Sequence, residues 1–150
     1  MASTADQSSF VYVTYIRTTP EKLWTALTDR EFVPTYWFGV HHDTDWKPGS
    51  SWRLVYPDGR VTDTGEIVEF DAPRRIVIKW RNEFLPDLKA EGYGQCTIEL
   101  EQVDSAVKLT IAHVMDRPDS KYIKAVSGGW PKILSNLKSL LETGELAMPV

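Results

Sequence analysis

SGGWPKILSNLKSLLETGE, residues 127–145, is the segment around which the rest of the chain is predicted to be organised. Its apolar residues recur at spacings of three and four, so they form one stripe along a predicted helix, and polar residues occupy the opposite side. The apolar residues are Trp130, Ile133, Leu134, Leu137, Leu140 and Leu141, and the polar residues are Lys132, Ser135, Asn136, Lys138 and Glu142. Because the segments between the termini mostly predict strands, we expect this stripe to lie across a sheet.

Local chemistry marks both ends of this helix. Asp119 or Ser120 can cap its N-terminus, and Gly144 stands where a left-handed residue commonly ends a helix. Two adjacent glycines and Pro131 lie inside the helix. Glycine weakens a helix and proline lacks an amide donor, so we expect a kink or a restart at this point.

The segments near the N-terminus predict a strand followed by short helices. FVYVTYIR, residues 10–17, is rich in β-branched and aromatic residues, which favour a strand. TTPEKLWTALTD, residues 18–29, has a helical spacing of apolar residues, and a second short helix is expected over residues 29–36. Residues 35–46 lack a clear period and are expected to form a loop with apolar anchors, whereas Trp24 is expected to be packed core.

The middle of the chain predicts an antiparallel meander. Pro-Gly at 48–49, Asp-Gly at 58–59 and Asp-Ser at 104–105 separate segments rich in β-branched residues, and such pairs are typical of turns. A two-residue turn at 104–105 would place Cys96 opposite His113 on the buried face. With the first strand this makes six or seven strands, and the predicted fold class is α+β.

Composition excludes several classes of protein. The chain has 150 residues, 42% hydrophobic and 25% charged, with a formal net charge of -4, which disfavours a nucleic-acid surface. One cysteine leaves no internal disulfide, and no apolar run is long enough to span a membrane. The first residues lack the pattern of a signal peptide, so we expect a cytoplasmic protein.

Four separated stretches resemble one known family. They are PEKLW at residues 20–24, DGRVTDTGEIVEFDAPRRIVIKW at 58–80, LTIAH at 109–113 and GGWPKILSNLKSLLETG at 128–144. They resemble the family named after the C-terminal domain of the activator of heat-shock protein 90 ATPase. This family is similar to birch-pollen allergen, polyketide cyclases and lipid-transfer domains, with which it shares the START-like (SRPBCC, helix-grip) superfamily.

The resemblance implies the architecture of a single domain. Residues 10–145 are expected to form a START-like domain, with a flexible tail at 1–9 and a C-terminal tail at 146–150. In this fold a curved antiparallel sheet grips the C-terminal helix, and a cavity lies between them. The full chaperone activator carries an additional N-terminal domain, whereas nine residues precede the first predicted strand here. We therefore do not expect a true co-chaperone.

Wide aromatic rings are the candidate lining of that cavity. Several alternate along predicted strands and so share one side of each strand. A concave sheet spanned by one helix leaves a space that such rings can line. Ordinary packing of these rings in the core is the alternative. The candidates are Trp37, Phe38, Trp52, Tyr56, Trp80, Tyr93 and Trp130, with His113 as a polar group in the wall.

A metal site and a catalytic thiol are the weaker interpretations. His41 and His42 are adjacent, so their side chains point apart on an extended segment, and we expect no metal and no cofactor. Cys96 beside His113 resembles a thiol and base pair, but no third group orients it, so a structural pair is favoured.

Two carboxylates leave an enzymatic alternative open. Asp63 and Glu66 could act as a general acid or base if they face the cavity, as in cyclases or hydrolases of the superfamily, or they could be solvated or paired with Lys79 or Arg81. The pattern around Gly65 does not settle their facing.

Three hypotheses follow. The leading one is a non-enzymatic module that binds a small apolar or amphipathic molecule between sheet and helix. The second is a cyclase or hydrolase that uses His113 with Glu66 or Asp63. The third is a protein-interaction module that contacts a chaperone.

Overall fold

Seven antiparallel strands form one curved sheet in the computed structural model, which describes residues 6–148. The strands are β1 (Ser8–Ile16), β2 (His41–Thr44), β3 (Ser51–Val55), β4 (Val61–Asp71), β5 (Arg75–Asn82), β6 (Gly94–Val103) and β7 (Ala106–Met115). Their order in the sheet is β1-β7-β6-β5-β4-β3-β2, so the first strand pairs with the last and the others follow the chain. The predicted α+β meander is confirmed.

The hairpin between β6 and β7 has the predicted register. Asp104 adopts a φ of 54°, as a tight hairpin turn requires, and Val103 faces Ala106 across it. Cys96 therefore lies opposite His113, and both side chains are buried.

The long helix α3 (Lys121–Thr143) begins and ends where its capping residues predict. Ser120 Oγ accepts a hydrogen bond from the Ile123 amide at 3.1 Å, and Gly144 ends the helix in the left-handed region with a φ of 84°. The predicted restart is not seen, because the helix continues through Pro131. Burial of the apolar stripe around Trp130 stabilises this turn despite the missing amide donor.

The region between β1 and β3 differs from its prediction. The first helix is present as α1 (Pro20–Thr28), capped by the Thr19 hydroxyl, but the second is only a single 3-10 turn at Val33–Thr35. β2 occupies part of the predicted loop, and it pairs with β3. A four-residue edge strand depends on its neighbour for stability, so its own residues carry little signal. A further single helical turn, α2 (Pro86–Lys89), lies between β5 and β6.

The core lies between the sheet and the two longer helices. It contains the apolar stripe of α3 and the inward residues of every strand except β2. Trp24 is only half-buried and meets the edge of Phe70, with ring centroids 5.1 Å apart. Asn136, placed on the polar side by the sequence, is buried and accepts a hydrogen bond from the Met148 amide. Within residues 6–148 no helix has the length and hydropathy needed to cross a membrane.

Candidate ligand-binding cavity

A cavity of about 190 Å³ lies between the sheet and α3. Its lining comes from the sheet, from the turn that follows Val33–Thr35, from α2 and from one face of α3. The lining residues are Trp37, Leu54, Asp63, Trp80, Asn82, Leu88, Tyr122, Ala125, Val126, Gly129, Trp130 and Ile133. Ala125 is exposed and Asn82 and Gly129 are half-buried, so the mouth lies between the first half of α3 and the end of β5.

Three indole rings form the apolar wall of this cavity. The ring centroid of Trp37 lies 4.9 Å from that of Trp130 and 6.2 Å from that of Trp80, and Trp80 and Trp130 are 6.2 Å apart. These distances are typical of aromatic rings in contact. The wall is therefore a continuous aromatic surface.

Gly65 makes the tight approach of two indoles to the middle of the sheet possible. It lies in β4 directly opposite Trp52 on one neighbouring strand and Trp80 on the other. The two indole centroids are 4.3 Å apart. A glycine between two tryptophans leaves room for their rings to meet over the strand, which a side chain would prevent.

Three of the indole N–H groups donate to buried side chains. Trp52 Nε1 donates to His42 Nδ1 at 2.9 Å, Trp80 Nε1 to Asp63 Oδ2 at 2.7 Å, and Trp130 Nε1 to His113 Nε2 at 2.6 Å. Buried polar groups need such partners. The aromatic wall is thus held in place by hydrogen bonds as well as by packing.

These bonds fix the protonation of both buried histidines. Because an indole N–H only donates, His113 Nε2 is an acceptor, so Nδ1 carries the proton and donates to the Tyr122 hydroxyl at 3.3 Å. His42 accepts at Nδ1 in the same way. Burial lowers the pKa of each imidazole to about 3, so both are neutral at pH 7.

Stability should therefore fall in mild acid. In the unfolded chain both histidines gain a proton below about pH 6.5, whereas the folded chain holds them neutral down to about pH 3. The unfolded state thus binds more protons, and the free energy of unfolding should fall by about 1.4 kcal/mol per pH unit for each histidine. Urea unfolding between about pH 7.5 and pH 5 measures this slope.

His113→Gln is the control for this prediction. Glutamine keeps an oxygen that can accept from Trp130 Nε1 but cannot titrate, so the pH slope of the variant should be smaller by about 1.4 kcal/mol per pH unit. An unchanged slope in His113→Gln would contradict the assignment of His113 as a neutral buried group.

Asp63 faces inward and Glu66 faces outward. The sequence had not decided on which face of the sheet each of these carboxylates lies. Asp63 is 9% exposed and lines the cavity, whereas Glu66 is exposed. Burial raises the pKa of the Asp63 carboxyl, and the nearby Glu83 acts in the same direction.

The structure brings together only some of the predicted lining residues. Trp37, Trp80 and Trp130 line the cavity. Trp52 is fully buried and packs against Trp80, and His113 is fully buried and hydrogen-bonded to the lining residues Tyr122 and Trp130. Both therefore support the wall from behind.

Phe38, Tyr56 and Tyr93 lie outside the cavity, which corrects their predicted placement. Phe38 is 43% exposed because it follows Trp37 directly, and the two side chains take different directions. Tyr93 is 41% exposed, and the Arg81 guanidinium covers its ring at 4.6 Å. Tyr56 is half-buried beside the turn before β4, where the Arg60 guanidinium lies 4.8 Å from its ring centroid. Tyr56 and Tyr93 thus lie against guanidinium groups at the surface, and Phe38 is exposed.

Several residues of the site were missed by the sequence analysis. His42 lies in the unpredicted strand β2, and Leu88 lies in the unpredicted turn α2. Tyr122 and Gly129 belong to the predicted helix, and their spacing of seven residues could have indicated a shared face. His42 and Leu88 carried no such signal.

The geometry gives the catalytic alternatives little support. Cys96 is buried and burial raises the pKa of its thiol, while both nitrogens of the facing His113 already have partners. Glu66 is on the other side of the sheet from His113. Among residues 6–148 no group of three or more His, Cys, Asp or Glu residues stands close enough to hold a metal ion.

A larger groove of about 720 Å³ lies on the surface beside the turn between β4 and β5. Its walls carry charges that are already paired: Arg74 with Asp71, and Arg75 with both Glu69 and Glu99. Exposed pairs of this kind contribute little to stability, and although Glu21, Glu101 and Lys108 also line the groove, no aromatic ring of residues 6–148 does. The cavity under α3 is the better candidate site.

Comparison with known proteins identifies a family that matches this chain. The family described as Activator of Hsp90 ATPase homolog 1-like protein matches residues 17–142. No match was found among curated protein sequences.

Solved structures share the fold over nearly the whole chain. A protein from Mesorhizobium loti has a TM-score of 0.77 at 21% identity and covers 93% of this chain and 100% of its own. An HSP90 activator from Plasmodium falciparum has a TM-score of 0.71 at 25% identity, with 89% and 95% covered. A protein of the dynemicin biosynthetic locus has a TM-score of 0.73 at 20% identity, with 94% of this chain but 49% of its own covered.

Proposed function

Because the chain belongs to the Activator of Hsp90 ATPase homolog 1-like family, and its fold keeps a cavity under the C-terminal helix, we propose that it binds a small apolar or amphipathic molecule there. The observation that carries the proposal is the wall of three indoles facing that cavity. Structures of this fold host many activities, so the site rather than the fold carries the argument.

Water is a poor occupant of this space. About 190 Å³ has room for roughly six waters at their bulk volume. The N–H groups of Trp80 and Trp130 are already used inside the wall, so the polar side chains left for those waters are mainly Asp63, Asn82 and Tyr122. Replacing weakly held water by an apolar group favours binding, so a ligand with an apolar body fits the wall better than water does.

Two adjacent glycines of α3 offer a matched test. Gly129 lines the cavity and Gly128 is exposed, and a Cβ added at either meets no atom within 4 Å. Gly129→Leu should therefore fill the mouth of the cavity, whereas Gly128→Leu should extend into solvent. Both changes raise helix propensity, so the two variants should fold alike.

The measurement is thermal unfolding with indole, naphthol and octanoate as probes. At a hundred times its dissociation constant a ligand adds about 2.7 kcal/mol to the free energy of unfolding, which raises the melting temperature by several degrees. We expect at least one probe to shift wild type and Gly128→Leu but not Gly129→Leu. No shift by any probe, or an equal shift in both variants, would overturn the proposal.

Contact with heat-shock protein 90 is the second candidate, supported by the 25% identity to the Plasmodium falciparum activator. It would be tested by the ATP turnover of the purified chaperone with and without this protein. Stimulation that survives Gly129→Leu would assign the contact to a surface outside the cavity. No stimulation would remove this candidate and leave ligand binding as the proposal.

A further inference from the structure

Asp63 is the acidic group of the cavity wall. Among the described residues that line the cavity there is no lysine, arginine or histidine, and Asp63 is the one carboxylate. The other polar lining groups are the Asn82 amide and the Tyr122 hydroxyl. The lining is therefore mostly apolar, and it contains a single acid.

The fold gives Asp63 little compensation for its burial. Its carboxyl group accepts a hydrogen bond from Trp80 Nε1, and the neighbouring Thr62 side chain also acts to lower its pKa, but it takes part in no ion pair among residues 6–148. Glu83, the one charged group that acts on it, has the same sign. A buried carboxylate without a cation is costly, and asparagine could accept from the indole without that cost.

A bound cation would supply the missing partner. An ammonium group pairs with a carboxylate through charge-assisted hydrogen bonds, which are stronger than neutral ones. The faces of indole rings also attract cations, and tryptophan does so best of the aromatic side chains. The acid and the aromatic wall therefore favour the same kind of ligand.

The cavity disfavours a ligand with a negative charge. A ligand carboxylate would face the like charge of Asp63 and the negative faces of the indoles. The N–H groups of Trp80 and Trp130 already donate to Asp63 and His113, so neither is free to receive it. Simple fatty or aromatic acids are thus disfavoured.

The volume limits the size of the ligand. A space of about 190 Å³ equals roughly six waters and holds a molecule of about ten non-hydrogen atoms. That leaves room for one aromatic ring or a short branched chain beside the ammonium group.

We propose that the ligand is a small organic amine whose ammonium group pairs with Asp63 and whose apolar body lies against Trp37, Trp80 and Trp130. This inference rests on the proposed function, which it narrows to one class of ligand. Phenethylamine, phenylethanol and phenylacetate are suitable probes, because they share a phenyl ring and differ mainly in charge.

Calorimetric titration of the three probes into wild type, Asp63→Asn and Gly129→Leu tests the proposal. We expect phenethylamine to bind wild type about tenfold or more tighter than phenylethanol, and phenylacetate to bind weakest. Asp63→Asn keeps an oxygen for Trp80 Nε1 and should remove the preference for the amine. Gly129→Leu should abolish binding of the amine.

The outcomes separate this inference from the proposed function. Equal binding of amine and alcohol in wild type, or a preference for the amine that survives in Asp63→Asn, overturns the inference while cavity binding stands. The wild-type series does not depend on the folding of any variant. If no probe binds wild type, this inference is overturned, and the proposed function is judged by its own probes.

Discussion

Gly65→Ala should abolish folding or lower the melting temperature by more than about 10 °C. A Cβ built on Gly65 lies 1.6 Å from the Lys79 carbonyl oxygen and 2.6 Å from its carbon. These are backbone atoms of the neighbouring strand, so the clash can be relieved only by separating β4 from β5 or by shifting their register. Either movement also disturbs Trp52 and Trp80, which face Gly65 from its two sides.

Gly128→Ala is the matched control for this change. Gly128 is exposed on α3, and an added Cβ meets no atom within 4 Å. Alanine favours a helix over glycine, so this variant should gain about 0.5 to 1 kcal/mol in the free energy of unfolding. Circular dichroism shows whether each variant folds, and thermal unfolding measures the melting temperature of each. An unchanged melting temperature in Gly65→Ala would contradict this prediction, because it would show that β4 and β5 can move apart at little cost in free energy.

Trp52→Ala should cost about 3 to 5 kcal/mol in the free energy of unfolding. Trp52 is 0% exposed, so removing its ring leaves a cavity in the core. The change also removes the donor that His42 Nδ1 receives, which leaves a buried acceptor without its partner. Trp24→Ala should cost less, because that ring is half-buried.

This order of the two losses in stability is the reverse of the one expected from the sequence. There Trp24 is expected to be packed core and Trp52 to line the cavity. Urea unfolding of Trp52→Ala, Trp52→Phe and Trp24→Ala measures it. Trp52→Phe keeps most of the ring volume and loses the N–H, so its cost separates the hydrogen bond from packing. A larger loss for Trp24→Ala than for Trp52→Ala would contradict the burial of these two rings.

The residues of the cavity wall were only partly predictable. Trp80 and Trp130 lie on strongly periodic segments, so their inward facing follows from the pattern of the segment alone. Trp37 and Phe38 are neighbours in a segment without a period, and only the structure decides which of them enters the cavity. Asp63 was ambiguous because Ile67 and Val68 are both apolar, so the alternation along β4 had no defined phase. A bulge between Ile67 and Glu69 accounts for this, since it leaves Val68 exposed.

The sequence by itself determined the long helix with both of its caps, the register of the hairpin between β6 and β7, the α+β fold and the resemblance to the family. Each of these depends on residues close together in the chain, or on patterns repeated within one segment. The tertiary structure alone decided that β2 is a strand, that His42 and His113 accept from indoles, and that Asp63 faces the cavity. These features join residues that are distant in sequence, and the free energy of such contacts depends on burial and pairing that exist only once the sheet and α3 have come together.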